Sequence, residues 1–146
     1  MKKGIALLAC SALFVGLMQV GLSAHEVVLQ TGLQGDREVP GPGDEDGSGR
    51  AKVTVDDEAG TVCYRVKFEK IGRVQAAHIH KGRRGKAGDV VVTLWDSSEG
   101  SPARGCVEVA AGLAERIQTY PRRFYVNLHT KAYPDGAIRG NLTPAK

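Results

Sequence analysis

Four histidines, His25, His78, His80 and His129, are the residues most able to do chemistry in this 146-residue chain. His78 and His80 are one residue apart in Val74–His80, a run that reads as a β-strand. Side chains two apart on a strand share a face, so both imidazoles project opposite Ala77 and Ile79. Their backbones are then about 6.6 Å apart. From there two imidazoles can converge on one metal ion at about 2.0–2.1 Å. A second strand, Arg122–His129, follows the same parity. Phe124, Val126 and Leu128 share one face, and Tyr125, Asn127 and His129 the other. The three imidazoles meet if these strands are neighbours.

His25 adds an amine. If an N-terminal leader is cut after Ala24, the free amine and ring of His25 can chelate one ion together. Cleavage after Ser23 would remove that arrangement. A nitrogen-rich set suits copper or zinc rather than magnesium or calcium, with copper preferred over zinc. No soft ligand joins the set. Met1 and Met18 fall in the leader, and Cys63 and Cys106 are expected to pair. A blue-copper centre, which needs a thiolate, is therefore disfavoured. The metal candidates are His78, His80, His129 and His25. Asn127 and Arg139 are candidates to support them from beside the rings. The blander reading makes these histidines polar surface residues of a sheet.

Other catalytic patterns are weaker. Ser97, Ser98 and Ser101 have no GxSxG context. Asp44-Glu45-Asp46 lacks EF-hand spacing. Neither a P-loop nor a GxGxxG motif occurs.

The elements that must position the histidines follow an apparent leader. Met1-Lys2-Lys3 is a basic start, Gly4 to Val20 is mostly apolar, and Gly21-Leu22-Ser23-Ala24 offers small residues for cleavage. Residues 1–24 are read as a signal peptide and 25–146 as one exported domain, periplasmic or extracellular. No other apolar run is long enough to span a membrane. Removing Lys2 and Lys3 from 20 basic and 16 acidic residues leaves 18 against 16, a net charge of +2. The nearest basic cluster, Lys81, Arg83, Arg84 and Lys86, is a glycine-broken loop without aromatics. It reads as a solvated surface, so no nucleic-acid partner is expected. Two cysteines in an oxidising compartment most simply pair. A Cys63–Cys106 bridge would close a loop of about forty residues, worth about 3–4 kcal/mol.

Alternation predicts further strands. In Arg50–Val55, Ala51, Val53 and Val55 face inward. In Thr61–Phe68, Val62, Tyr64, Val66 and Phe68 face inward, while Cys63, Arg65 and Lys67 face outward. Strands are also expected at His25–Thr31, Val90–Trp95, Gly105–Val109 and Ala137–Leu142. Ala110–Gln118 is the one candidate helix. Asp36–Gly49, rich in Gly, Pro and acids, reads as a long exposed flexible loop. Tyr133-Pro134-Asp135-Gly136 is a β-turn. With 19 glycines and many short strands, the expected class is all-β: an antiparallel Greek-key-like sandwich or barrel with one disulfide and at most one short helix.

Two long motifs carry a resemblance. One runs from Ala76-Ala77-His78-Ile79-His80-Lys81-Gly82 through Gly85-Lys86-Ala87-Gly88 to Val90-Val91-Val92-Thr93-Leu94. The other is Phe124-Tyr125-Val126-Asn127-Leu128-His129-Thr130 followed by Tyr133-Pro134-Asp135-Gly136-Ala137-Ile138-Arg139-Gly140. In this order they resemble the CHRD domain, first recognised in chordin, over nearly all of residues 25–143. The resemblance implies a β-rich extracellular module. The His-x-His segment also resembles the metal strand of copper/zinc superoxide dismutase. Four histidines are too few for that enzyme's two-metal site.

The leading expectation is a non-catalytic exported binding module. It would hold one copper ion for copper handling at the cell envelope, with an envelope protein as a candidate partner. The alternatives are a dismutase-like copper redox enzyme and a metal-free structural or protein-interaction domain.

Overall fold

A computed structural model describes residues 25–97, 100 and 102–146. The expected signal segment 1–24, Ser98 and Ser101 lie outside the described residues. Among the described residues, nine strands form one sheet: β1 (Glu26–Gln34), β2 (Ser48–Asp56), β3 (Thr61–Glu69), β4 (Val74–Lys81), β5 (Val90–Asp96), β6 (Arg104–Glu108), β7 (Phe124–Thr130), β8 (Ile138–Asn141) and β9 (Thr143–Pro144). A helix, α1 (Ala111–Thr119), lies between β6 and β7. The spatial order is β5-β4-β7-β8-β1-β2-β3-β6, with β9 beside β1. The pairings are antiparallel. The end strands β5 and β6 come into contact, so the sheet curls into a nearly closed barrel. The non-sequential neighbours β4–β7, β1–β8 and β3–β6 give it the expected Greek-key-like character.

Period-2 patterning produces the core. Val53 and Val55 of β2 and Val62 and Val66 of β3 are buried, while Arg50, Lys52, Arg65 and Lys67 between them are exposed. Leu29, Leu33, Ile79, Val126, Leu128, Ile138 and Leu142 complete the interior. Burying each such side chain contributes about 1.5–3 kcal/mol. The helix caps one barrel end through buried Ala114 and Ile117. Its Gln118 amide donates to the carbonyls of Val55 and His25. Cys63 and Cys106 stand directly opposite one another on β3 and β6, with Cα atoms 4.0 Å apart, and are bridged.

Two expectations need adjustment. Arg122 and Arg123 belong to a short 3-10 turn, Pro121–Arg123, and β7 starts only at Phe124. The segment after β1 is a loop, as its composition implies, but it is not a free exposed one. Gly35, Glu38, Gly43 and Gly47 are buried. Gly43 N–H donates to Gly35, and Asp44 N–H to Ala137. The glycines make this packing possible: a Cβ at Gly43 would fall 2.2 Å from the Ala137 oxygen. The Pro40-Gly41-Pro42 tip and Glu45-Asp46 are exposed.

Candidate metal centre

Strands β4 and β7 are hydrogen-bonded neighbours, which supplies the condition the sequence left open. Their register pairs His78 with Asn127, His80 with Tyr125 and Ala76 with His129. His129 is thus diagonal to His78 on the same face, within reach of a side chain. The β4–β5 pairing slips between Ala77 and His78 and again between Ile79 and His80. Such irregularities re-aim side chains. The ring centroids of His78 and His129 are 4.8 Å apart, and those of His78 and His80 are 5.6 Å apart. One nitrogen from each of the three rings lies within 4.8 Å of the others.

Backbone carbonyls set the direction of two rings. His80 Nδ1 lies 2.8 Å from the Gly88 oxygen and His129 Nδ1 2.8 Å from the Pro134 oxygen. A carbonyl can only accept, so each Nδ1 carries the proton and each Nε2 offers a lone pair. Metal-ligating histidines use this arrangement, a second N–H tied to a carbonyl with the other nitrogen free to coordinate. His80 Nε2 is buried and has no hydrogen-bond partner among the described residues. His129 Nε2 lies 3.0 Å from both His78 Nδ1 and Asn127 Oδ1.

Burial favours the neutral form of His78 and His80. His78 is pushed down to about 4 from 6.5, first by burial and then by repulsion from His129 and His80, against a weaker pull from Asp96. His80 is also lowered, again chiefly by burial, with His129 and Arg139 adding repulsion. Neutral imidazole is the ligating form.

The polar face is covered by the loop joining β4 to β5, residues 82–89. Arg139 Nη2 donates to Lys86, and Asn141 Nδ2 to Gly82. Tyr125 Oη both donates to the Gly88 carbonyl and accepts from its N–H. A Cβ at Gly88 would fall 1.7 Å from the Lys81 oxygen, so only glycine allows this approach. The Tyr125 ring stacks on His80, with centroids 4.8 Å apart and planes at 8°. The Arg139 guanidinium lies 3.6 Å from the Tyr125 centroid.

The four proposed histidines are therefore not all gathered. His25 is not part of the cluster. It precedes a strand whose register pairs Glu26 with Asp56, so its ring lies by the β2–β3 turn, 3.6 Å from Asp57 and 3.5 Å from Glu58. Asn127 is 2% exposed and contacts His129 directly. Arg139 is 1% exposed. It contacts Tyr125 and the Lys86 carbonyl rather than hydrogen-bonding a histidine. Sequence reading missed Tyr125, although it shares the parity of Asn127 and His129. It also missed the carbonyls of Gly88 and Pro134, which no side-chain pattern can signal.

Glu38 is a further buried ionisable group. Burial pushes its carboxyl up to about 7, outweighing the attraction of Arg139 and a hydrogen bond from Val39 N–H.

Among the described residues, no helix is long and apolar enough to cross a membrane. A family profile for the CHRD domain matches residues 29–142. The search of curated proteins found no match. The search of solved structures found none either.

Proposed function

The chain belongs to the CHRD-domain family, a family of binding modules, and from that premise we propose that it holds one copper ion through His78, His80 and His129. One observation carries this reading. Three imidazoles converge within 4.8 Å, two of them, His78 and His80, biased to the neutral form, and His80 and His129 have their Nδ1 protons tied to carbonyls. The buried, unpartnered Nε2 of His80 fits a ligand role. A polar atom left in that state costs about 1–3 kcal/mol, which coordination would recover. Three nitrogen donors without a thiolate favour copper over zinc by the ordinary affinity order. When bound, copper would supply a Lewis-acidic, redox-capable centre. The chain's own groups would hold and orient the ligands, and burial favours the neutral form of His78 and His80. The leader-like segment 1–24 supports export to the periplasm or beyond, where such a site would handle copper at the envelope.

Single substitutions test the assignment. His78→Ala and His80→Ala should each weaken copper affinity about a hundredfold or more, with the far-ultraviolet circular dichroism of the apo protein retained. Unchanged affinity would reject the site. Amino-terminal sequencing of protein recovered from cell fractions checks export and the cut after Ser23 or Ala24. An intact Met1 terminus on cytoplasmic material would reject it.

A further inference from the structure

The outer surface of β2, β3 and β6 carries a concentration of cations that the modest net charge of the chain conceals. The register places Lys52 opposite Arg65, Arg65 opposite Arg104, and Arg50 opposite Lys67. Arg65 therefore has a cation on both sides. All five side chains are exposed. Arg37 reaches back to donate to the Gly32 carbonyl at 2.8 Å, and Gly32 is the β1 residue paired with Arg50. Among the described residues, none of these six cations forms an ion pair; the two pairs found both involve His25. Like charges directly opposite on a sheet are destabilising. A fold that places six together lowers its electrostatic energy when an anionic partner lies across them.

The shape of the patch selects the partner. The cations occupy two adjacent rows running across the strands. Gln30, Lys52, Arg65 and Arg104 form one row, and Gly32, Arg50 and Lys67 the next. Acids bound the strip at both ends, with Asp56 and Glu108 on one side and Glu69 on the other. A flat anionic membrane would meet both acidic ends, whereas a linear polymer crossing the strands avoids them. Among the described residues, no aromatic ring is exposed on this face to stack a base: Tyr64 is 5% exposed and points inward, and the exposed large apolar residues, Val90 and Tyr120, lie elsewhere. Single-strand binders rely on such rings, and interfacial membrane binders on apolar insertion. The strip is flanked by Gln30, Thr31 and Thr143, which with Arg50, Lys52 and Arg65 line one shallow groove. Amide and hydroxyl groups beside cations suit a hydroxyl-rich chain bearing regular negative charges.

We propose that this face binds an acidic polysaccharide, lying across β2, β3 and β6 with its anionic groups over Lys52, Arg65, Arg104, Arg50 and Lys67. The proposal is independent of the metal site.

The test uses polygalacturonate as probe and neutral dextran as its control, with affinity measured at low and at physiological salt. Binding to polygalacturonate but not dextran, weakening as salt rises, is the expected result. The double variant Lys52→Gln, Arg65→Gln should weaken it by about tenfold or more. Arg83→Gln, Arg84→Gln removes the same charge from the β4–β5 loop and should change it by less than about twofold. Equal losses in both variants would reduce the effect to net charge and overturn the proposal, as would no binding. Tighter binding to single-stranded oligothymidylate or to phosphatidylglycerol vesicles would overturn it in favour of those partners. The melting temperature is the second readout. Relief of repulsion should leave the Lys52→Gln, Arg65→Gln protein at least as stable as the wild type. A lowered melting temperature would show that the cations serve the fold and would count against the proposal.

Discussion

The imidazole of His80 is oriented by the backbone of Gly88, whose carbonyl accepts its Nδ1 proton at 2.8 Å. His80 stands near the end of β4 and Gly88 near the end of the β4–β5 loop, so the loop that covers the polar face also aims a proposed metal ligand. Tyr125 secures the arrangement by stacking on His80 and hydrogen-bonding Gly88.

Gly88→Ala tests that relationship without touching a ligand. The new Cβ would collide with the Lys81 oxygen, so residues 82–89 must shift and His80 must lose its acceptor. Copper affinity should fall about 10- to 100-fold, the usual effect of losing an outer-shell partner. Isothermal titration calorimetry reads this, and circular dichroism should show the barrel preserved. Affinity at the wild-type value would mean that Gly88 does not orient the ligand.

His25 should be dispensable for metal binding. Its ring lies beside Asp57 and Glu58, away from the three-histidine cluster. Distant sites act independently, so His25→Ala should change copper affinity by less than about twofold in the same titration. A large loss would return His25, with its amine, to the ligand set.

Glu38 should impose a pH dependence opposite to that of an ordinary paired carboxylate. Its carboxyl is raised from 4.5 to about 7, chiefly by burial. Between those values the folded chain keeps a proton that the unfolded chain has released. Its contribution to stability is therefore full below 4.5 and is lost as pH rises through about 7. Glu38→Gln stays uncharged throughout. Relative to wild type it should gain stability progressively from pH 4.5 to 7, as read by denaturant titrations at several pH values. A stability difference that does not change over that range would contradict the raised value.

Much of this was legible because strand parity is a strict rule. His78, His80 and His129 each stand opposite an apolar neighbour, and the alternation in Thr61–Phe68 identifies the buried and exposed faces of β3. The Cys63–Cys106 pairing follows from having two cysteines after residue 24. What the sequence could not supply was register between distant segments. That β4 lies beside β7 depends on closing the barrel, and it decides whether three histidines form a site. The same limit hid the basic face. Arg50 and Lys52, or Arg65 and Lys67, read individually as the solvated side of a strand. Only the β2–β3–β6 register sets them against one another. Composition alone makes the glycine-rich segment after β1 read as free, whereas its buried glycines let the backbone pack against Ala137.

The central claim is a single copper site built by β4 and β7. Its most direct test is a copper titration of the folded, disulfide-bonded protein, followed by electron paramagnetic resonance. The account predicts saturation at one copper per chain, with hyperfine structure from several imidazole nitrogens that is lost in the His78→Ala, His80→Ala, His129→Ala protein. No saturable binding, or the same spectrum and stoichiometry in that triple variant, would contradict it.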